Sequence, residues 1–288
     1  MSLDIFSHDD NAPGNAISPP SVGAPPRAVG AVRLAVHARE SATHLAGLRQ
    51  SGCLKCILPQ VFRADAEAVL INTSGGVTGG DRIDVVAQLG EDTRLTLSTQ
   101  AAERIYRTVD GSTARVRTAI DVAARADLRW LPQETILFDR ARLSRDLTID
   151  LAAEARLLLC ETLVFGRAAM GERVHRLHLE DRIAVTRVGA PLYRDGIRLS
   201  GDAHALMARQ GIGDGTGAVA TLVYAAPEAG AMLAQVRALL PTTAGASLRS
   251  EGLMVLRALR EDSLSLRRTL IPVLELLSGQ PLPAVWRL

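Results

Sequence analysis

Through the first two thirds of the chain, apolar and polar residues alternate with a period of two. Val32, Leu34 and Val36 fall on one side of such a stretch, and Leu95 and Leu97 alternate with Arg94, Thr96 and Ser98. Leu143, Leu147, Ile149 and Leu151 alternate in the same way with Ser144, Asp146, Thr148 and Asp150. Period-two runs of this length predict half-buried strands. Turn signals such as Leu89-Gly90-Glu91-Asp92 and Asp110-Gly111-Ser112 separate them. Helical spacing appears only late, over residues 227–240, opened by Pro227, and over residues 263–278. The second stretch ends at Gly279, and Pro272 predicts a bend or interruption inside it. The pattern predicts a mostly β protein: a layered, β-sandwich-like body of many short strands, with about two helices toward the C-terminus. Residues 1–28 carry five prolines and no apolar segment, and read as a flexible tail before a single domain over 29–288.

The stretch Leu-Ile-Asn-Thr-Ser-Gly-Gly-Val-Thr-Gly-Gly-Asp-Arg-Ile, residues 70–83, could cradle a phosphate or simply reverse the chain. A phosphate loop delivers the anion to a helix N-terminus, and its ATPase form ends in Gly-Lys-Ser/Thr. Here no lysine follows Gly80, Asp81 places a negative charge where the anion would sit, and Arg82–Leu89 alternates as a strand. Strand, glycine turn, strand predicts a hairpin. A second glycine-rich stretch, residues 210–217, leads into the apolar run from Ala218 to Tyr224 and reads as a loop before a strand.

Composition narrows the function classes. Hydrophobic residues make up 47% of the 288 and mean hydropathy is +0.13, yet no run approaches the roughly 20 apolar residues of a membrane helix. Part of the apolar excess is therefore expected on the surface, where it would suit a permanent protein partner. The 33 basic and 31 acidic residues nearly cancel, and with 3% aromatics the chain lacks stacking platforms for nucleic acid. Three cysteines make no disulfide framework, which fits a cytoplasmic setting.

Candidate chemistry is sparse. Cys53 and Cys56 form half a zinc site with no second pair, and they read as ordinary buried cysteines. His175 and His178 would chelate together only on a helix, and their surroundings look extended. The carboxylates carry more information. Glu161 shares a strand face with Leu157, Leu159 and Leu163, and Glu134 is in phase with Ile136 and Phe138. A carboxylate on an apolar face requires an arginine, a water-filled cavity or a metal. Asp81 and Asp195 stand in good turn contexts.

Five segments, in order, resemble the urease accessory protein UreD (UreH) family. They are Ser74-Gly75-Gly76-Val77-Thr78-Gly79-Gly80-Asp81, Thr99-Gln100-Ala101-Ala102-Glu103-Arg104-Ile105-Tyr106-Arg107 and Trp130-Leu131-Pro132-Gln133-Glu134-Thr135. Phe165-Gly166-Arg167-Ala168-Ala169-Met170-Gly171-Glu172 follows, and Pro283-Ala284-Val285-Trp286 is similar to the family's closing Pro-x-x-Trp. The resemblance implies a non-catalytic β scaffold that binds UreF, through it the GTPase UreG, and apo-urease. It also implies no permanently bound cofactor, and Ni²⁺ in transit through a water-filled internal passage. Carried over residue by residue, it puts Asp81, Glu161 and Asp195 on that passage, with Glu103, Glu134, Asp139 and Glu172 as weaker candidates. Two departures stand out: Asn72-Thr73-Ser74 where the family often has His-Pro-Pro, and Glu103 at a commonly small position. Competing expectations are a purely structural adaptor whose carboxylates only make ion pairs, and an all-β hydrolase using Glu134 and Glu161 as acid and base.

Overall fold

The alternating stretches become strands of two facing sheets in the computed structural model, which describes residues 26–60, 64–167 and 170–287. The expected tail lies outside the described residues except for its last three. The chain begins with β1 (Val29–Arg39), β2 (Ala42–Gly52), β3 (Leu54–Ile57), β4 (Ala66–Asn72), β5 (Arg82–Leu89) and β6 (Arg94–Thr99). It continues with β7 (Glu103–Ile105), β8 (Ala114–Val122), β9 (Asp127–Leu131), β10 (Thr135–Leu137), β11 (Arg142–Leu151) and β12 (Arg156–Phe165). Then follow β13 (Leu177–Arg187), β14 (Ala190–Gly201), α1 (Ala203–Met207), β15 (Ala218–Ala225) and α2 (Ala229–Ala238). Last come β16 (Ala244–Ser250), β17 (Leu253–Arg260) and α3 (Ser263–Ser278).

One sheet has the order β14-β13-β11-β8-β5-β1-β2, and the other β16-β17-β15-β12-β9-β6-β4-β3 with β10 and β7 attached beside β12. Strands β1, β5, β8, β11 and β13 run parallel in the first sheet, and β4, β6, β9 and β12 run parallel in the second. Parallel neighbours need a long crossover, usually a helix. Here the crossover runs through the opposite sheet, because from β4 to β13 the chain passes back and forth between sheets, with β6–β7 and β9–β10 as consecutive strands of the second. Strands β4 and β5 therefore do not form the hairpin expected around the glycine stretch. The turn passes the chain from one sheet to the other, and period-two patterning carries no information about which sheet a strand joins.

This coil stacks equivalent positions in rows. Val36, Leu89, Val122 and Leu151 align across four neighbouring strands, and Leu34, Ala87, Ile120, Ile149 and Val185 across five. All point into the core between the sheets. The second sheet is covered on its other face as well: β12 and β15 are buried along nearly their whole length, with α2 and α3 packed behind them. The molecule is thus three layers: sheet, sheet, helices.

Helix α3 starts at a capping box made by Asp262 and Ser265 and stops at Gly279, whose φ of 65° is left-handed. It runs through Pro272 without the expected interruption, since Leu266, Leu270, Val273, Leu274 and Leu277 hold it against the sheet. The short α1 lies in a segment that showed no helical period. The C-terminal Trp286 is buried behind the second sheet, where its indole N–H donates to the Leu131 carbonyl at 2.9 Å and Arg267 lies over its ring. Truncating a tryptophan this enclosed leaves a cavity and orphans that carbonyl. Trp286→Ala is expected to cost about 3–5 kcal/mol in urea unfolding, a loss that a solvent-exposed indole would not produce.

Candidate functional site

Two close approaches explain the glycines of residues 74–81. A Cβ on Gly76 would stand 2.4 Å from the Tyr106 ring, and one on Gly79 would stand 2.3 Å from the Ser112 carbonyl. The backbone between them lies along the segment after β7, with Val77 N–H donating to Arg104 and Tyr106 N–H donating to Val77, at 2.8 and 2.7 Å. Asp81 closes the turn. Its two oxygens accept from the N–H groups of Ala28 and Thr78, each at 2.8 Å, so it anchors the entry to β1 as well as the loop.

Charged side chains lie between the sheets. In β11, Arg145 is on the same face as Leu143 and Leu147, and its neighbour in β13 is Asp181. The opposite sheet presents Glu161, Thr221 and Arg257 in one row across β12, β15 and β17. The rows interlock. Arg145 donates through Nε and Nη2 to Asp181 at 2.8 and 2.7 Å and through Nη1 to Thr135 at 2.9 Å. The same Nη1 lies 2.6 Å from Glu161 Oε2. Glu161 Oε1 receives the Trp130 indole N–H at 2.6 Å, so both oxygens of this carboxylate are partnered. Arg257 pairs with Asp195 and donates to Thr221. Three carboxylates (Glu161, Asp181, Asp195) thus meet two guanidinium groups, a formal excess of one negative charge along a seam that runs from enclosed Arg145, Glu161 and Asp181 to part-exposed Asp195 and Arg257. Burial raises the Glu161 carboxyl above its usual range, against the lowering pull of Arg145. Burial opposes the charge of Arg145 too, but its two carboxylates outweigh that and hold it firmly protonated.

Beside this seam is a cavity of about 190 Å³, lined by Arg145 and Glu161 at one end and by Asn72, Gln100, Glu103 and Gln133 elsewhere. Beyond the seam, Arg145, Glu161, Asp181, Asp195 and Thr221 line a second space of about 10 Å³, room for roughly one water. In the large cavity, Glu103 receives the Asn72 amide N–H at 3.1 and 3.2 Å. Its carboxyl is pushed up to about 7, first by burial and in small part by the charge of Asp81.

The seven carboxylates singled out in the sequence divide by place. Glu103 and Glu161 share the large cavity, and Glu161 and Asp195 share the small one. Asp81 is in neither lining. Glu134 lies on the opposite face of the second sheet from Glu161, bound to Arg267 of α3 at 3.1 Å. Asp139 accepts from the N–H groups of His175 and Arg176, and Glu172 pairs with Arg167 at 2.7 Å. Arg145, Asp181 and Arg257 were missed. The signal was present for the first two: Arg145 interrupts Leu143-x-x-x-Leu147 in phase, and Asp181 does the same between Leu179 and Ile183. Cys53 and Cys56 are free, and burial lifts the Cys56 thiol to about 11. His175 faces Asp202 and His204 rather than His178. Among the described residues, no three His, Cys, Asp or Glu side chains converge to hold a metal ion.

These features belong to a two-sheet β protein with charged residues and water-sized space between its sheets and helices backing one of them. Residues 28–287 match the family model described as UreD urease accessory protein. Urease accessory protein UreD of Ruegeria pomeroyi is 48% identical over 83% of this chain and 93% of its own length. The UreD proteins of another Ruegeria species and of Rhizobium leguminosarum bv. viciae are 45% and 44% identical, over 96% and 92% of this chain and 95% and 97% of their own lengths. The chain belongs to the UreD family of urease accessory proteins. No helix among the described residues is long and apolar enough to cross a membrane.

The raised Glu103 carboxyl has a pH signature. A group that holds its proton more tightly folded than unfolded favours the folded state at low pH. That contribution is lost as pH rises from the ordinary value of 4.5 through the folded value of about 7. The stability gap between Glu103→Gln and wild type is therefore expected to shift in favour of the variant between pH 4.5 and 8 in urea titrations. A gap independent of pH would contradict it.

Proposed function

We propose that this chain is a non-catalytic scaffold of urease maturation in the cytoplasm. It binds UreF, through UreF the GTPase UreG, and apo-urease, and it conducts Ni²⁺ through its interior toward the urease active site. The observation that carries the reading is the charged seam between the sheets, with its excess negative charge and adjoining cavity. A dry sandwich core has no use for the enclosed charges of Arg145, Glu161 and Asp181, and they are expensive to keep there. Oxygen donors alone suit transit. Imidazole and thiolate would hold Ni²⁺ strongly, whereas carboxylates and water release it. Raised carboxyl pKa values, as at Glu103 and Glu161, weaken the grip further, because protons compete with the cation.

A second reading has specific support: Glu161, Asp195, Glu134 and Glu172 each face an arginine, the arrangement of an adaptor whose carboxylates only hold the fold. Acid–base catalysis by Glu134 and Glu161 has no such support, since the two occupy opposite faces of one sheet.

Exposed Leu239, Leu248 and Leu264 lie on the helical layer and its neighbouring edge strand, and they fit a protein-covered surface. The chain expressed alone is expected to aggregate and to stay soluble with UreF, and a monodisperse isolated monomer would count against this interface. The passage is tested with Glu103→Gln/Glu161→Gln, which keeps the acceptor for Trp130. The double variant should still pull down UreF and apo-urease while urease activated with it contains several-fold less nickel. Full nickel loading would leave the adaptor reading in its place.

A further inference from the structure

The first sheet has an uncovered side. Helices α2 and α3 back the second sheet, whereas on the outer face of the first Arg82, Arg115, Ala119, Asp121, Thr148 and Asp150 are all exposed. Because β5, β8 and β11 run parallel in one register, residues on this face stand in straight rows. Arg82 stands beside Arg115 at one end, and about 20 Å further along β8 Asp121 stands beside Asp150. Like charges directly opposed on neighbouring strands are destabilising. Among the described residues neither arginine side chain meets a carboxylate, and the aspartates meet only the Thr186 hydroxyl, which donates to Asp150. We propose that this face is where two copies of the chain meet, related by a two-fold axis that crosses the strands at the level of Thr118. The inference is independent of the passage reading.

Charge and shape support the assignment together. In such an isologous contact each residue meets the one lying equally far beyond the axis on the same strand. Arg115 of each copy therefore lies over Asp121 of the other, with Arg82 and Asp150 flanking the same contact. The like-charge pairs that repel within one copy thus meet pairs of opposite sign. The steric pattern agrees. Along each strand of this face a charged residue is followed by a small one: Arg117 by Ala119, Asp146 by Thr148, Arg182 by Ala184. The same axis brings each charged side chain over the small residue of the facing copy, and none of these over a like charge. Size is sufficient as well. The seven strands, about 4.8 Å apart, over residue rows about 6.8 Å apart, span roughly 900 Å². A stable interface covers about 800 Å² per partner. Both halves of the complementarity lie on one face, so the occupant it fits is a second copy and not an acidic or basic protein at large.

The test uses the full chain, purified with UreF where it needs that partner for solubility. Arg117→Cys/Ala119→Cys puts thiols across the axis, and mild oxidation should give a covalent dimer of this chain on a denaturing gel, several-fold above wild type. A complex bridged only by UreF cannot form that bond. In the same background, Arg82→Glu/Arg115→Glu should lose the dimer, and so should Asp121→Arg/Asp150→Arg. Mixing the two charge-swapped chains should restore it, because every contact is then again between opposite charges. No covalent dimer, or one indifferent to both swaps, overturns the proposal and leaves the face to another partner. If a swapped chain does not fold, the cysteine variant with native charges still decides. Its dimer yield should fall several-fold between about 0.05 and 0.5 M salt, and a yield independent of salt overturns the charge-matched contact.

Discussion

Burying ions between two sheets is the constraint around which this structure is arranged. Each charge taken from water costs several kcal/mol unless an opposite charge and good hydrogen bonds meet it. The two inner faces solve this by interlocking: Arg145 reaches from the first sheet to Glu161 in the second, and Arg257 reaches from the second to Asp195 in the first. Neither sheet could hold its row alone, so the seam joins the sheets by charge where elsewhere they are joined by leucine and valine.

The coiled path of the chain makes the interlock possible. Because the chain passes repeatedly from one sheet to the other, β11 and β12 are close in sequence yet lie in facing sheets, and their side chains enter the seam from opposite sides. The parallel rows place Arg145 beside Asp181 in one sheet, and the antiparallel β12–β15–β17 block places Glu161 beside Thr221 and Arg257 in the other. The helical layer then leaves the inner face alone. Arg267, Glu134 and Trp286 tie α3 and the C-terminus to the outer face of the second sheet, so structural and candidate functional charges are separated by one sheet thickness.

This separation divides the carboxylates of this UreD-family chain into a group at the seam and a group that ties down the helical layer and loops. The carboxylates between the sheets are few, and each is paired with an arginine although they outnumber the arginines three to two.

By itself the sequence determined the strand content, the late helices, the loop character of both glycine stretches and the family. Each follows from local periodicity, turn chemistry or ordered motifs. Glu161 and Glu103 were also legible, one because it breaks an apolar face and the other because it departs from the family pattern. Only the tertiary structure decided which sheet each strand joins, that β4 and β5 are not a hairpin, and that Glu134 and Glu161 belong to different faces. It alone brought Arg145, Asp181, Asp195 and Arg257 into one seam. The physical reason is that alternation specifies which side of a strand is buried, not what lies opposite, and a buried charge is defined by the partner facing it.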